Sequence, residues 1–293
     1  MEKYKVSVIM SCYNAEKTLA RAITSVLNND YENIELVLID DCSTDNSLAI
    51  AKGFNDSRIH IIQHRENLGA GVSRKDGIES STGDYICFCD SDDELLPSHI
   101  DNLVNFSIEY SADIVTSGYT VVDGETGKQE EERKADKTYV LEGKSKYTVL
   151  KADILRFLNP SLIRRELWSR VPYSTRRYIE DSPTLIKLLW YANRRVVIPQ
   201  STYLYYQNKG SLTHTKDSFK DLLYQTLCVI ETYNFFSQVK HPEYTPDALM
   251  LGKVCTFLAV EPSEENKSEY KNEIQEVKRF INYYYEKKFE QSL

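Results

Sequence analysis

Residues 86 to 97 read ICFCDSDDELLP, an apolar run that ends in four acids within five positions: Asp90, Asp92, Asp93 and Glu94. Two like charges about 4 Å apart repel by roughly 1 kcal/mol in water and about 4 kcal/mol at an intermediate dielectric. Carboxylates gathered at the edge of a core are therefore either solvated in a turn or drawn together by a cation. A divalent ion suits such a set, because hard cations take oxygen ligands. A second apolar run, LVLIDD, ends in Asp40 and Asp41, and Ser11 closes the run VSVIMS. Histidine offers no competing site: five occur, and none form a pair with the spacing of zinc ligands.

These residues need elements to carry them. KVSVIMS, IELVLID, RIHIIQH and DYICFCD read as short strands, and AEKTLARAITSVLNN has apolar residues at helical spacing (Leu19, Ala22, Ile23, Val26, Leu27). STDNSLAIAKGF follows as a helix that Ser43 or Asp45 can cap. GAGVSRKDGIESS and SHIDNLVNFSIEY add helices, and ADIVTSGYTVV adds a strand. Such alternation predicts an α/β fold with a mostly parallel central sheet flanked by helices. Ligands of these folds bind beyond the carboxyl ends of the strands. Ser11, Asp40, Asp41 and Asp90 all fall at those ends.

From Asp123 to Lys146 the chain turns polar, as an exposed hairpin or loop would. NPSLIRRELWSRV restores order, IEDSPTLIKLLWYA reads as a capped helix, and RRVVIPQSTYLYYQ reads as strands. Beyond residue 216 three stretches read as helices: FKDLLYQTLCVIETYNFFSQV, DALMLGKVCTFLAV and SEYKNEIQEVKRFINYYYEKKFE. The expected division is 1–216 for an α/β domain and 217–293 for a C-terminal helical extension.

The chain has 293 residues, 41% hydrophobic and 27% charged, enough to bury a substantial core. A net charge of −8 argues against nucleic acid as partner, since phosphate backbones call for a basic surface. Cys12, Cys42, Cys87 and Cys89 lie in or beside apolar strands without a CxxC pair, which predicts reduced thiols and a reducing compartment. The N-terminus enters a strand directly, with no secretory signal, and no apolar run approaches the about 20 residues of a membrane span. The expectation is a cytoplasmic protein. FINYYYEKKF leaves room for peripheral contact at the inner face of a membrane.

VSVIMSCYN, LVLIDDCSTDNS, NLGAGVSRKDGI, GDYICFCDSDD and IEDSPTLIKL, in that order, resemble the family 2 glycosyltransferases, over roughly residues 5 to 215. The resemblance implies the nucleotide-sugar-binding GT-A fold and sugar transfer with inversion, usually with Mn²⁺ or Mg²⁺. It places Ser11 and Tyr13 against the nucleoside, Asp41 on the base (often uracil) and Arg74 near the diphosphate. Lys75 stands where the family commonly has asparagine. Asp90, Asp92 and Asp93 match the family's DxD-type element, with Asp92 and Asp93 nearest to metal and ribose. Asp181 matches the family's general base, which takes the acceptor's proton on the face opposite the leaving group. From the residues alone, Tyr13 can be loop packing, Asp41 and Asp181 helix caps, and Arg74 a solvated charge. Gln207, Lys209, Ser211 and His214 offer no clear match to a further ligand.

The implied activity is metal-dependent transfer from a nucleotide-diphosphate sugar, a UDP-sugar by preference, to a saccharide or lipid-linked saccharide of a surface polysaccharide. Two other readings remain open. A sugar nucleotidyltransferase would need a Gly-rich, basic loop near the first strand, which SCYNAEKTLAR is not. Against a non-catalytic nucleotide-sugar-binding protein stand Asp92, Asp93 and Asp181, all intact.

Overall fold

The computed structural model describes residues 4–147, 158–208, 218–239, 256–257 and 260–290. The chain divides into two compact units, Met1–His214 and Thr215–Leu293.

In the first unit the apolar runs form β1 (Val6–Cys12), β2 (Ile34–Asp40), β3 (Ile59–Gln63) and β4 (Tyr85–Phe88). They are parallel, in the order β3-β2-β1-β4. β1, β2 and β4 are covered on both faces, so they read as mostly apolar runs, interrupted at Ser7 and Glu35, and not as alternating ones. The connections are α1 (Leu19–Leu27), α2 (Ser47–Gly53) and α3 (Ala70–Ser80). α1 buries Leu19, Ala22, Ile23 and Val26 in the same core as Val8, Met10, Leu36 and Leu38. The opposite face carries Ile9, Val37, Ile39 and Phe88 beneath Ile78 of α3 and Leu185, Leu188 and Leu189 of α6 (Asp181–Tyr191). Burying each such side chain stabilises the fold by about 1.5–3 kcal/mol.

After β4 come β5 (Glu94–Leu95), α4 (His99–Tyr110), β6 (Ile114–Asp123), β7 (Gln129–Arg133), β8 (Tyr139–Glu142), β9 (Ser161–Arg164), α5 (Arg165–Trp168), α6 and β10 (Arg194–Gln207). The sheet runs β3-β2-β1-β4-β9-β6-β10-β5, with β7 on β6 and β8 on β10. The parallel expectation holds from β3 to β4 and for β6 beside β10. Elsewhere the sheet is mixed, because β9 enters antiparallel between β4 and β6. The acidic stretch QEEER is β7, mostly exposed and hairpinned onto β6. RRVVIPQSTYLYYQ is a single strand whose register against β6 slips between Val197 and Tyr203, where Pro199 cannot donate to the ladder.

The second unit contains α7 (Ser218–Gln238), α8 (Glu264–Glu269) and α9 (Lys271–Glu290). Tyr233 of α7 meets Phe280 of α9 edge-on at 5.4 Å. Most of the stretch DALMLGKVCTFLAV lies outside the described residues. Among the described residues, no helix is long and apolar enough to cross a membrane.

Candidate functional site

The loops after β1 and β2 are stitched together. The Asn14 backbone N–H donates to Ser43 Oγ at 3.0 Å, and that of Thr44 donates to Asn14 Oδ1 at 2.8 Å. Ser11 is half-buried beneath them, and Tyr13 stands 49% exposed at their rim. Asp41 does not cap α2. That helix begins at Ser47, whose N–H donates to Asp45 Oδ1 at 2.9 Å. Asp41 instead turns to the other side, buried. Its Oδ1 lies 2.8 Å from His64 Nδ1 and accepts from Leu68 N at 2.9 Å, and its Oδ2 accepts from Gly69 N at 2.7 Å. A carboxylate offers about four acceptor directions, so one remains, on Oδ2.

α3 brings Arg74 to this edge. Gly77 lets the helix settle directly on the sheet: a Cβ there would come within 2.6 Å of Ile9 and Ile39. Arg74, one turn earlier, is buried. Its Nη2 donates to Asp90 Oδ1 at 2.7 Å, while Nη1 pairs with Glu180 Oε1 and lies 3.4 Å from Asp181 Oδ1. Burial opposes the charge, but Asp90 and Asp181 more than offset it, so Arg74 stays firmly cationic.

The three aspartates of DSDD part company. Asp90 accepts from Arg74 and, through Oδ2, from Asn159 Nδ2 at 2.7 Å. Asp93 is 1% exposed and turns into the fold, where Tyr203 Oη donates to Oδ2 at 2.6 Å and Tyr206 N to Oδ1 at 2.8 Å. Burial, then the charges of Asp92 and Asp90, push its carboxyl well above the usual range. Asp92 accepts from Asn208 Nδ2 at 3.0 Å through Oδ2, and its own backbone N–H also bears on the carboxyl. Burial and the neighbouring Asp90 raise Asp92 as well. Glu94 is neutralised by Arg21, 3.0 Å away, and Arg21 in turn stacks over Tyr206.

Asp181 opens α6 without a side-chain capping bond. Its Oδ1 accepts from the buried Tyr173 Oη at 2.8 Å. Two residues earlier, Ile179 has φ +56°, a backbone conformation that β-branched side chains rarely adopt. Thr184 Oγ1 holds the turn, donating to Glu180 O at 2.8 Å and accepting from Ser174 N at 3.0 Å.

The structure thus gathers Asp90, Glu180 and Asp181 around the guanidinium of Arg74. Asp92 points elsewhere in the same turn, and Asp41 with Tyr13 stands at the ends of β2 and β1. No group of three or more His, Cys, Asp or Glu among the described residues is arranged to hold a metal unaided. The sequence reading missed His64, Asn159, Tyr173, Tyr203, Tyr206 and Asn208. Gln207 ends β10, whereas Lys209, Ser211 and His214 lie outside the described residues.

The model of glycosyl transferase family 2 matches residues 7–171. Glycosyltransferase GlyG of Streptococcus pneumoniae is 31% identical over 222 residues, 72% of this chain and 73% of that protein. GlyA of the same organism is 28% identical over 71% of this chain, which spans only 31% of GlyA's length. Escherichia coli WfgD, a UDP-Glc:alpha-D-GlcNAc-diphosphoundecaprenol beta-1,3-glucosyltransferase, is 32% identical over 42% of this chain and 49% of its own. The crystal structure of S. aureus TarS 1–349 with UDP-GlcNAc has the same fold, with TM-score 0.66 at 21% identity over 94% of this chain and 81% of that one. The fold is that of a GT-A enzyme. The chain belongs to glycosyl transferase family 2 and is a glycosyltransferase.

Proposed function

We propose that this enzyme transfers a sugar, with inversion, from a UDP-sugar to a saccharide or lipid-linked saccharide of a cell-surface polysaccharide. The observation that carries the reading is the division of the acidic cluster: among the described residues no side chain donates to Asp92 Oδ1, in the DSDD turn, and none donates to Asp181 Oδ2, at the start of α6 beside Arg74. The first suits the donor's diphosphate and its cation, the second an acceptor hydroxyl. The acceptor oxygen attacks the anomeric carbon, the bond to the diphosphate oxygen breaks, UDP leaves with the electron pair, and the proton passes to Asp181. The remaining acceptor direction on Asp41 Oδ2 suits the N3–H of uracil. Cys12, between Ser11 and Tyr13, accepts the Asp41 backbone N–H at 2.8 Å, and WfgD's substrates agree with this class of donor and acceptor.

Mn²⁺ or Mg²⁺ fits the donor set. Few carboxylates plus substrate phosphates is how such ions are commonly bound. Asp92 would hold the ion with the diphosphate, Asp90 stands two positions earlier in the same turn, and Asp93 is withdrawn by Tyr203 and Tyr206. When bound, the ion stabilises charge on the departing diphosphate. The helical unit beyond residue 215 is assigned to acceptor engagement, at the inner membrane face where the acceptor is lipid-linked.

The test is thermal stability with UDP, Mn²⁺ and both. A ligand at 100 times its Kd adds about 2.7 kcal/mol, and the pair is expected to exceed the sum of its parts. Asp92→Asn is expected to abolish the joint effect. An undiminished UDP–Mn²⁺ shift in that variant would return the cluster to a solvated turn.

A further inference from the structure

We infer that Tyr173 is a positioning residue for Asp181, one that dedicates Oδ2 of that carboxylate to the acceptor's proton. The inference rests on the reading of Asp181 as the base. It begins with how the two oxygens are used. Oδ1 takes the Tyr173 hydroxyl at 2.8 Å and faces Arg74 Nη1 at 3.4 Å. Oδ2 takes no donor among the described residues. The carboxylate side chain is 14% exposed, so a hydroxyl can reach it. A carboxylate free to rotate would present either oxygen at random angles, whereas a general base has to meet its proton within hydrogen-bond reach and in line.

Tyr173 is built to hold that angle. Its ring stacks on Trp168 at 5.9 Å with planes 20° apart and leans on Phe88 at 6.2 Å, and Phe88 belongs to β4. The phenol is therefore fixed to the sheet rather than to the loop alone. Burial, then the Asp181 charge, push its hydroxyl well above the usual phenol range, so it keeps its proton and remains a donor. Because Arg74 faces the same oxygen, donor-site cation and aromatic wall both bear on Oδ1. The second oxygen is left to chemistry.

The test uses the full chain with UDP-glucose and UDP-GlcNAc, water as acceptor, and UDP release as readout, in a cycle of wild type, Tyr173→Phe, Asp181→Asn and the double variant. Tyr173→Phe keeps the aromatic stack, and a melting curve confirms folding. The expected result is a fall in kcat of about 10-fold with donor KM within 2-fold, and no further fall when Tyr173→Phe is added to Asp181→Asn. Equal losses in both backgrounds, or no loss, would overturn the positioning role. Undiminished turnover in Asp181→Asn alone would instead overturn the base assignment beneath it. A crystal structure of Tyr173→Phe decides the matter whether or not either donor turns over. Asp181 is expected to rotate or take two conformers, and an unmoved carboxylate counts against the inference.

Discussion

Arg74 and Asp90 are 16 positions apart in the chain and meet at 2.7 Å, while the other terminal nitrogen of Arg74 faces Glu180 and Asp181. One guanidinium thereby ties α3 and the DSDD turn to the start of α6.

Removing that cation leaves Glu180 buried without its partner. Breaking a buried pair from one side costs about 3–5 kcal/mol. Arg74→Ala is expected to lower unfolding stability by that amount in urea. Arg74→Lys should lose less, since a single ammonium keeps the charge but cannot reach Asp90 and Glu180 from two nitrogens. An Arg74→Ala midpoint equal to wild type would show that the pairing contributes nothing.

At the opposite end of the sheet, buried Glu35 accepts from Lys5 Nζ, Ser7 Oγ and Thr82 N, each at 2.6 Å. Burial works against its charge, but these bonds outweigh it and lower its pKa to about 2. The folded value lies below the unfolded one near 4.5. This stabilisation is accordingly complete above pH about 4.5 and fades as pH falls toward about 2. Glu35→Gln is expected to cost about 1.5–3 kcal/mol at neutral pH, with wild type and variant converging in acid. Parallel stability curves down to pH 2 would contradict the linkage.

Gly71 lies where the loop carrying Tyr173 crosses α3. A Cβ there would stand 2.5 Å from Arg176 O and 2.6 Å from Ser174 O. Gly71→Ala is therefore expected to push the loop outward, costing about 1–3 kcal/mol and lowering UDP release more than UDP binding. Calorimetric titration with UDP beside the turnover assay separates the two, and equal losses in both would point to general unfolding.

Ile179 holds φ +56° immediately before Glu180 and Asp181. Such strain costs of order 1–3 kcal/mol, and glycine would relieve it at an entropic cost of about 0.5–1 kcal/mol. Ile179→Gly should therefore gain about 1 kcal/mol of stability and lose turnover as the two acids loosen. A variant that is neither more stable nor less active would mean that the conformation carries no strain.

Strands β1, β2 and β4 were legible because each is a mostly apolar run, and the acids at their ends were legible because they follow those runs directly. The fates of Asp90, Asp92 and Asp93 were not. Three aspartates in one turn look alike in sequence, and only Tyr203 and Tyr206, 110 and 113 positions later, draw Asp93 inward. Tyr173 is one of 21 tyrosines and carries no local signal. The same holds for β9, four residues whose direction is set by partners on both sides. Periodicity reports what lies next to a residue in the chain, and these contacts are made across it.

The placement of β9 between β4 and β6 also bears on biosynthesis. Until Ser161–Arg164 emerge, β4 and β6 present unpaired ladder edges to each other's empty flank. At about 5–20 residues per second the ribosome takes roughly 4–15 s to travel from the end of β4 to the end of β9. Throughout that interval a nascent chain displays open edges of apolar strands, which are templates for pairing with other chains. Ribosome stalling within this window should therefore yield aggregates or chaperone-bound fragments, whereas release after β10 should yield protein that closes its sheet unaided.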